Sequence, residues 1–277
     1  MAGLVAASPI GTALAQSDPR PLSEHRRAPT LAEMQTAFDF EPVFFGNVPL
    51  RVYDYTAHGE GSEFTLRRNR QAFEWVDIVP KRPAIPASQV DLSSELLGVK
   101  LKFPIMVAPT ATMIPVHPDG EIGMYQAATA ASNTVMVLSH NTSTPLAKLA
   151  PAVAGGQLWG QFYPNQSMEI TQRAMDGYQS AGCACVVVTV DQTASYYERS
   201  QQSRNLGGVV RPATAPAGGA NAPAPTGSMR YRVSSGRLWY TWDYFSAVRK
   251  MVRGKLLIKG IERADDARRA LQHGADA

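Results

Sequence analysis

From residue 104 onward, short apolar runs repeatedly end on residues that can bind or polarise a ligand. These residues are Pro109-Thr110-Ala111, Ser139, Gln161 with Tyr163, Thr189 with Asp191, and Lys259-Gly260. They supply hydroxyl and amide groups, one carboxylate and one ammonium, each where a strand runs into the following loop. Polar residues are ordinary at strand ends. A lysine directly after Leu256-Leu257-Ile258 is less so, because an ammonium beside an apolar run must be paired or serve a ligand. Gln161 and Tyr163 are two apart, so in a strand they share a face. Of the 5 histidines, His140 alone sits at such a run end and is kept as a site candidate. No Walker phosphate loop, no Gly-x-Ser-x-Gly elbow and no Cys/His set at metal-ligand spacing occurs. Cys183 and Cys185, two apart in an apolar run, read as buried small hydrophobes whose thiols point to one face of a strand.

The elements that must position these groups follow from periodicity. Strands are expected at Pro104–Ala108, Thr134–Leu138, Leu158–Phe162, Ala184–Val190 and Lys255–Lys259. Helices are expected near 119–132, 145–153, 167–181, 241–253 and 262–273. In the third, Ile170, Ala174, Tyr178 and Ala181 form one stripe. Asp119 is read as the N-cap of the first, after the turn made by His117. The last opens on Asp265 and Asp266, continues with Arg268 and Arg269 and stops at Gly274, an order that suits the helix dipole and a glycine C-cap. Apolar strands alternating with helices imply a parallel sheet covered on both faces. Periodicity leaves open whether that sheet is doubly wound or a (β/α)8 barrel. Either way, ligands bind at the carboxyl edge of the strands.

Composition bounds the rest. The chain has 277 residues, 44% hydrophobic, with 18% charged and a net charge of +4. So weak a basic balance, with no long Lys/Arg run, gives no case for nucleic acid. Residues 1–17 carry no charge and end Ala13-Leu14-Ala15 before Gln16, like a signal-peptide cleavage site, but lack a positive start. They read as the tail of an export signal or as a disordered tail; the first reading favours a periplasmic or exported protein over a cytoplasmic one. Thr30 and Glu33 fit a capping box. Residues 18–103 read as an N-terminal extension packed on the 104–277 barrel, the two forming one domain, 18–277. Residues 207–237, rich in Pro, Gly and Ala, carry Arg211, Arg230, Arg232 and Arg237 and no acid. They read as a mobile loop that could contact an electron acceptor or an anionic membrane.

With these pieces assembled, the chain resembles the FMN-dependent 2-hydroxy-acid oxidase/dehydrogenase family, which includes glycolate oxidase, lactate oxidase, flavin-type L-lactate dehydrogenase and mandelate dehydrogenase. The matching stretches are Val52-Tyr-Asp-Tyr-Thr-Ala-His-Gly59, Pro104-Ile-Met-Val-Ala-Pro-Thr-Ala111, His117-Pro-Asp-Gly-Glu121, Gln161-Phe-Tyr163, Thr189-Val-Asp191, and Ile258-Lys-Gly260 with Asp265-Asp-Ala-Arg268. They are colinear from about residue 50 to the last residue, and specific jointly rather than singly. The resemblance implies a (β/α)8 TIM barrel, of which about five β/α units and the N-terminal extension are present.

Carried over by position, the resemblance implies FMN as cofactor and oxidation of an (S)-2-hydroxy acid, lactate-like, to the 2-oxo acid. Tyr55 would bind the substrate carboxylate, and Tyr163 would contact the substrate beside the flavin. Pro109, Thr110 and Ala111 would pass along the flavin near its reactive nitrogen. Ser139, Gln161 and Thr189 would bond its polar edge, and Lys259 would stand where negative charge builds on reduction. It further implies a small 2-hydroxy acid as partner, an electron acceptor of unspecified kind (O2, a quinone or a cytochrome) and a homo-oligomer when full length. Asn141 stands where many members carry a bulky aromatic, and the arginine expected after Asp191 aligns with Glu198, with Arg199 one position on. The family's Ser-Asn-His-Gly-Gly-Arg stretch, which carries its histidine base and a carboxylate-clamping arginine, has no counterpart here, nor do its FMN phosphate loops. The expectation is therefore a C-terminally truncated enzyme, inactive as given. The alternative from another class is a flavin- or ligand-binding barrel without turnover.

Overall fold

The computed structural model describes residues 30–59, 62–80, 82–191 and 240–277. The expectations for residues 1–17, for Glu198 and Arg199 and for the 207–237 loop lie outside the described residues. Those described fall into two compact units, one up to Val76 and one from Asp77 onward.

The first unit is helical. The Thr30–Glu33 capping box is present, the Thr30 N–H donating to Glu33 Oε2 at 2.8 Å, but it opens only a 3-10 turn, Leu31–Glu33. Helices α1 (Glu41–Asn47) and α2 (Leu50–Ala57) pack through Tyr53, whose ring meets Phe45 edge-on at 4.7 Å and whose hydroxyl donates to Glu41 Oε1 at 2.9 Å. Helix α3 (Phe64–Gln71) follows.

The second unit begins with an antiparallel hairpin, β1 (Ser94–Leu96) and β2 (Val99–Leu101). Next come α4 (Gly120–Ser132), β3 (Val135–Leu138), α5 (Leu146–Leu149), β4 (Gln157–Phe162), α6 (Met168–Ser180) and β5 (Cys185–Thr189). Helix α7 (Trp242–Met251), β6 (Lys255–Lys259) and α8 (Ala264–Gln272) complete it. The strands form a parallel sheet in the order β3-β4-β5-β6. The order follows the sequence without reversal, whereas a doubly wound sheet reverses at a switch point. The ladder extends on both sides. Val107 forms a parallel bridge with Met136, and past β6 the Asp276 N–H donates to Leu256 O (2.7 Å) and the Ile258 N–H to Ala277 O (3.0 Å).

Four local expectations are corrected. The strand expected at Pro104–Ala108 is reduced to the Val107 bridge; Pro104 and Pro109 bracket it, and neither has an N–H to donate. The buried stripe of α6 runs through Thr171, Met175 and Tyr178, and Ile170 is 43% exposed. Tyr178 fixes that rotation: its ring lies over Gly160, where any Cβ would collide with it, and its hydroxyl donates to Gln161 O at 2.7 Å. Cys183 and Cys185 are both buried and free but lie in different clusters, because β5 starts only at Cys185 and Cys183 sits in the turn after Gly182. Asp119 occupies the N-cap of α4 without a side-chain capping bond; its own N–H donates to His117 Nδ1 instead.

Candidate active site

The sheet sorts its residues by parity. Met136, Leu138, Leu158, Phe162, Val186, Val188, Leu256 and Ile258 pack into the large core shared with the helices. Val135, Val137, Trp159, Cys185, Val187 and Leu257 form a second cluster, covered by Val99 and Leu101 of the hairpin. Side chains alternate along a strand, so Ser139, Gln161, Thr189 and Lys259 continue the second, odd-numbered series. They stand at the carboxyl ends of four successive parallel strands, with Thr189 directly paired with Lys259 in the register. The structure thus brings four of the expected site residues to one rim and one face.

Gln161 is the best-determined of them. It is 1% exposed, and its Oε1 accepts the His140 N–H at 2.9 Å with Ser139 Oγ at 3.4 Å. A backbone N–H can only donate, so the amide oxygen must face the loop and Nε2 must face away from it. That Nε2 is buried without a partner, and so is Thr189 Oγ1. Two unmatched polar groups on neighbouring strands of one rim cost about 1–3 kcal/mol each, a cost that a ligand with a hydrogen-bonding edge removes.

At the next strand end, Lys259 Nζ lies 3.1 Å from Asp191 Oδ2, with both side chains nearly half exposed (40% and 45%). The ammonium is therefore held in place yet open to a further partner. Pro109, Thr110 and Ala111 follow the Val107 bridge, Thr110 Oγ1 donating to Ala108 O at 3.3 Å. Tyr163 is half-buried, its ring 5.6 Å from that of His140, which also meets Phe162 at 5.3 Å. Burial pushes the His140 imidazole below its ordinary pKa, which favours its neutral form. Tyr55 lies on α2 of the first unit, half-buried. A cleft of about 410 Å³ opens between β5, β6 and α7, lined by Val190, Tyr240, Trp242, Phe245 and Ile258 among others. It lies on the helix-facing side and is distinct from the odd-numbered rim.

Glu121, the last residue of the His117–Glu121 stretch and not singled out from the sequence, is bonded to the loops that carry part of the rim. It is fully buried and accepts hydrogen bonds from the loops after Val107 and after β3. Its signal was present: Glu121, Tyr125, Ala128 and Ser132 form the buried stripe of α4, where a carboxylate is out of place unless it is bonded.

The family model described as FMN-dependent dehydrogenase matches residues 46–277. The chain belongs to that family. Among the family's curated members, the L-lactate oxidase of Nostoc sp. is 30% identical over 251 residues, 87% of this chain and 68% of that protein. The glycolate oxidase of Spinacia oleracea is 28% identical over 250 residues, 88% of this chain and 66% of that one. Among solved structures, mandelate oxidase with 3,3-difluoro-2-hydroxy-3-phenylpropionic acid aligns with a TM-score of 0.69 at 26% identity, covering 86% of this chain and 65% of that chain. An active chimera of (S)-mandelate dehydrogenase aligns with a TM-score of 0.72 at 26% identity, covering 86% and 68%. The chain thus spans about two thirds of the length of these relatives.

The family's cofactor is FMN, and the rim fits it. The isoalloxazine edge carries carbonyl and ring-nitrogen acceptors and one N–H donor, and the rim offers partners for both: the unpartnered Gln161 Nε2, which donates, and Thr189 Oγ1, which donates or accepts, with the Lys259 ammonium on the next strand.

Proposed function

We propose that this chain carries the flavin-facing part of an enzyme that oxidises an (S)-2-hydroxy acid of lactate-like size to the 2-oxo acid. The observation that supports this most is the pair of buried, unpartnered groups, Gln161 Nε2 and Thr189 Oγ1, on one face at adjacent strand ends. FMN, when bound, supplies the two-electron acceptor for the hydrogen that leaves the substrate's C2. Gln161, Thr189 and Ser139 hold its polar edge, while Pro109, Thr110 and Ala111 line the ring. Lys259, anchored by Asp191, keeps a positive charge where negative charge accumulates during the reaction, and a preorganised charge of this kind stabilises the transition state more than the ground state. Tyr55 donates its phenol to the substrate carboxylate, and Tyr163 contacts the substrate from beside the flavin.

On this reading the parallel sheet is part of a closed (β/α)8 barrel. The unreversed strand order and the backbone bonds on both sides of it support closure. Residues 1–277 as an isolated polypeptide are inactive, since they hold no Ser-Asn-His-Gly-Gly-Arg stretch to supply the base. The test is anaerobic mixing of the purified full-length protein with L-lactate, glycolate and (S)-mandelate while the flavin absorbance is followed. Bleaching by at least one of them is expected. A stoichiometric flavin that none of them bleaches would replace the enzyme reading with that of a flavin-binding protein without turnover.

A further inference from the structure

Two loops meet at the rim, residues 109–114 after the Val107 bridge and residues 139–144 after β3. They are bonded directly: the Thr112 N–H and Oγ1 donate to Asn141 O (3.0 and 3.2 Å), and the Ile114 N–H donates to Ser143 Oγ (3.0 Å). The junction is tight. Thr112 has a φ of 55°, a left-handed conformation that a β-branched residue adopts only where its surroundings enforce it. A Cβ at Gly120 would lie 2.7 Å from Ile114 Cγ1, so the glycine lets the first loop settle onto the start of α4.

Glu121 closes this junction from below. Its Oε1 accepts the Met113 N–H (3.1 Å) and the Ser143 N–H (2.7 Å), Ser143 Oγ lies 2.7 Å from each carboxylate oxygen, and Oε2 accepts Thr144 Oγ1 (2.8 Å). All four donors are neutral, and they come from the two loops. A fully buried carboxylate is tolerated without a counter-charge only when its oxygens are saturated by donors. Here that saturation ties together the segments that carry Pro109, Thr110 and Ala111 on one side and Ser139 on the other.

We propose that Glu121 is a positioning residue for the flavin: its two oxygens fix loops 109–114 and 139–144 against each other and so preform the ring-facing surface. The proposal rests on the flavin-enzyme reading above. What matters is acceptor geometry rather than charge. In Glu121→Gln the amide oxygen still accepts both backbone N–H groups, while the amide nitrogen donates to the Ser143 and Thr144 hydroxyls, which can turn to accept. Glu121→Ala leaves the two backbone N–H groups without an acceptor.

The test compares Glu121→Ala, Glu121→Gln and a control, Val248→Ala, in the full-length protein. Val248 is buried on α7, which packs against α6 and α8, and it takes part in none of the hydrogen bonds that join the two loops, so its truncation lowers global stability and leaves those bonds in place. The first readout needs no flavin: amide hydrogen exchange in the FMN-free protein. Glu121→Ala is expected to speed exchange at Met113 and Ser143 by roughly tenfold or more relative to the β4 and β5 amides. The second readout is FMN affinity, expected to fall by a similar factor in Glu121→Ala, to be retained in Glu121→Gln, and to be retained in the control despite its lower Tm. If Glu121→Ala does not fold, Thr144→Val removes one hydroxyl donor to Glu121 and no other hydrogen bond, and gives the same local pattern at smaller size. Uniform acceleration like that of the control, unchanged FMN affinity with loosened loops, or a glutamine variant as impaired as the alanine variant would each overturn the proposal. A wild-type protein that takes up no FMN would instead overturn the flavin reading, and the exchange pattern would still decide whether Glu121 ties the loops.

Discussion

Replacing Gln161 by leucine separates a ligand-binding role from a bracing role, because the two predict opposite balances between stability and affinity. In the FMN-free protein the substitution removes the acceptor of the His140 N–H, at a cost of about 1–3 kcal/mol. It also removes the buried Nε2 that had no partner, which returns about the same 1–3 kcal/mol. The near-isosteric leucine keeps the volume filled, so the net change is within about 1 kcal/mol and Tm barely moves. With FMN bound only the loss remains: about 0.5–1.5 kcal/mol for a neutral hydrogen bond, or about 1.5–3 kcal/mol once the acceptor edge carries charge in the reduced state. The affinity for oxidised FMN should therefore fall about three- to tenfold. The extra loss of about 1.4 kcal/mol in the reduced state corresponds to a potential about 30 mV more negative for a two-electron couple. Calorimetry on the FMN-free protein, fluorescence titration with FMN and equilibration against a redox dye measure the three quantities. A fall in stability of 2 kcal/mol or more with unchanged FMN affinity and potential would refute the reasoning and leave Gln161 as a brace for the 139–144 loop.

Lys259→Met should leave stability nearly unchanged, because a half-exposed ion pair contributes at most about 1 kcal/mol, yet slow flavin reduction about a hundredfold with little change in KM; an unchanged stopped-flow rate at saturating substrate would remove Lys259 from the chemistry. Tyr55→Phe should raise KM about tenfold or more, through loss of a bond to a charged carboxylate worth about 1.5–3 kcal/mol, and leave flavin content intact; loss of flavin at constant KM would make Tyr55 structural. Acid should act through Glu121. Burial pushes its pKa up, but the Ser143 backbone and hydroxyl, the Met113 N–H and the Thr144 hydroxyl outweigh that and hold it at about 2, below its ordinary 4.5. A carboxylate depressed in the folded state contributes stability that is fully present above pH 4.5 and is lost as pH falls toward 2, here at most about 3 kcal/mol. Denaturant titrations across that window should show a shallower acid loss in Glu121→Gln than in wild type; equal slopes would contradict the bonding pattern.

How much of this was legible before the structure depended on what each residue had to bury. The strands were readable as apolar runs because both faces of a parallel sheet are covered, and β3 to β6 fall within a residue or so of their expected positions. The same double burial hid which face was which, since an uninterrupted apolar strand shows no alternation. The hairpin that distinguishes the faces was itself hard to see. Its turn residues, Leu97 and Gly98, both have positive φ (51° and 86°), but Leu-Gly lacks the Asn-Gly or Asp-Gly signature of such turns.

The rim can be argued from this arrangement without reference to any relative. Hairpin residues Val99 and Leu101 cover the odd-numbered side chains lower on the strands, so the odd series is excluded from water there. One or two residues further along each strand the apolar series stops, and Ser139, Gln161, Thr189 and Lys259 take over on the same face. Gln161 and Thr189 remain buried at that level while lacking partners for one polar atom each. Buried polar groups are generally bonded within the protein; Trp159 Nε1, lower in the odd series, is an isolated exception, whereas Gln161 Nε2 and Thr189 Oγ1 fall together on one face at neighbouring strand ends. Gln161 is paired with Val187 in the register, so Thr189 stands one same-face step further along the neighbouring strand and the two unmatched atoms are set diagonally on the rim. Bulk hydrophobicity explains the sheet, and register explains the spacing. The unmatched polar atoms are what neither explains, and for that reason they carry the functional assignment.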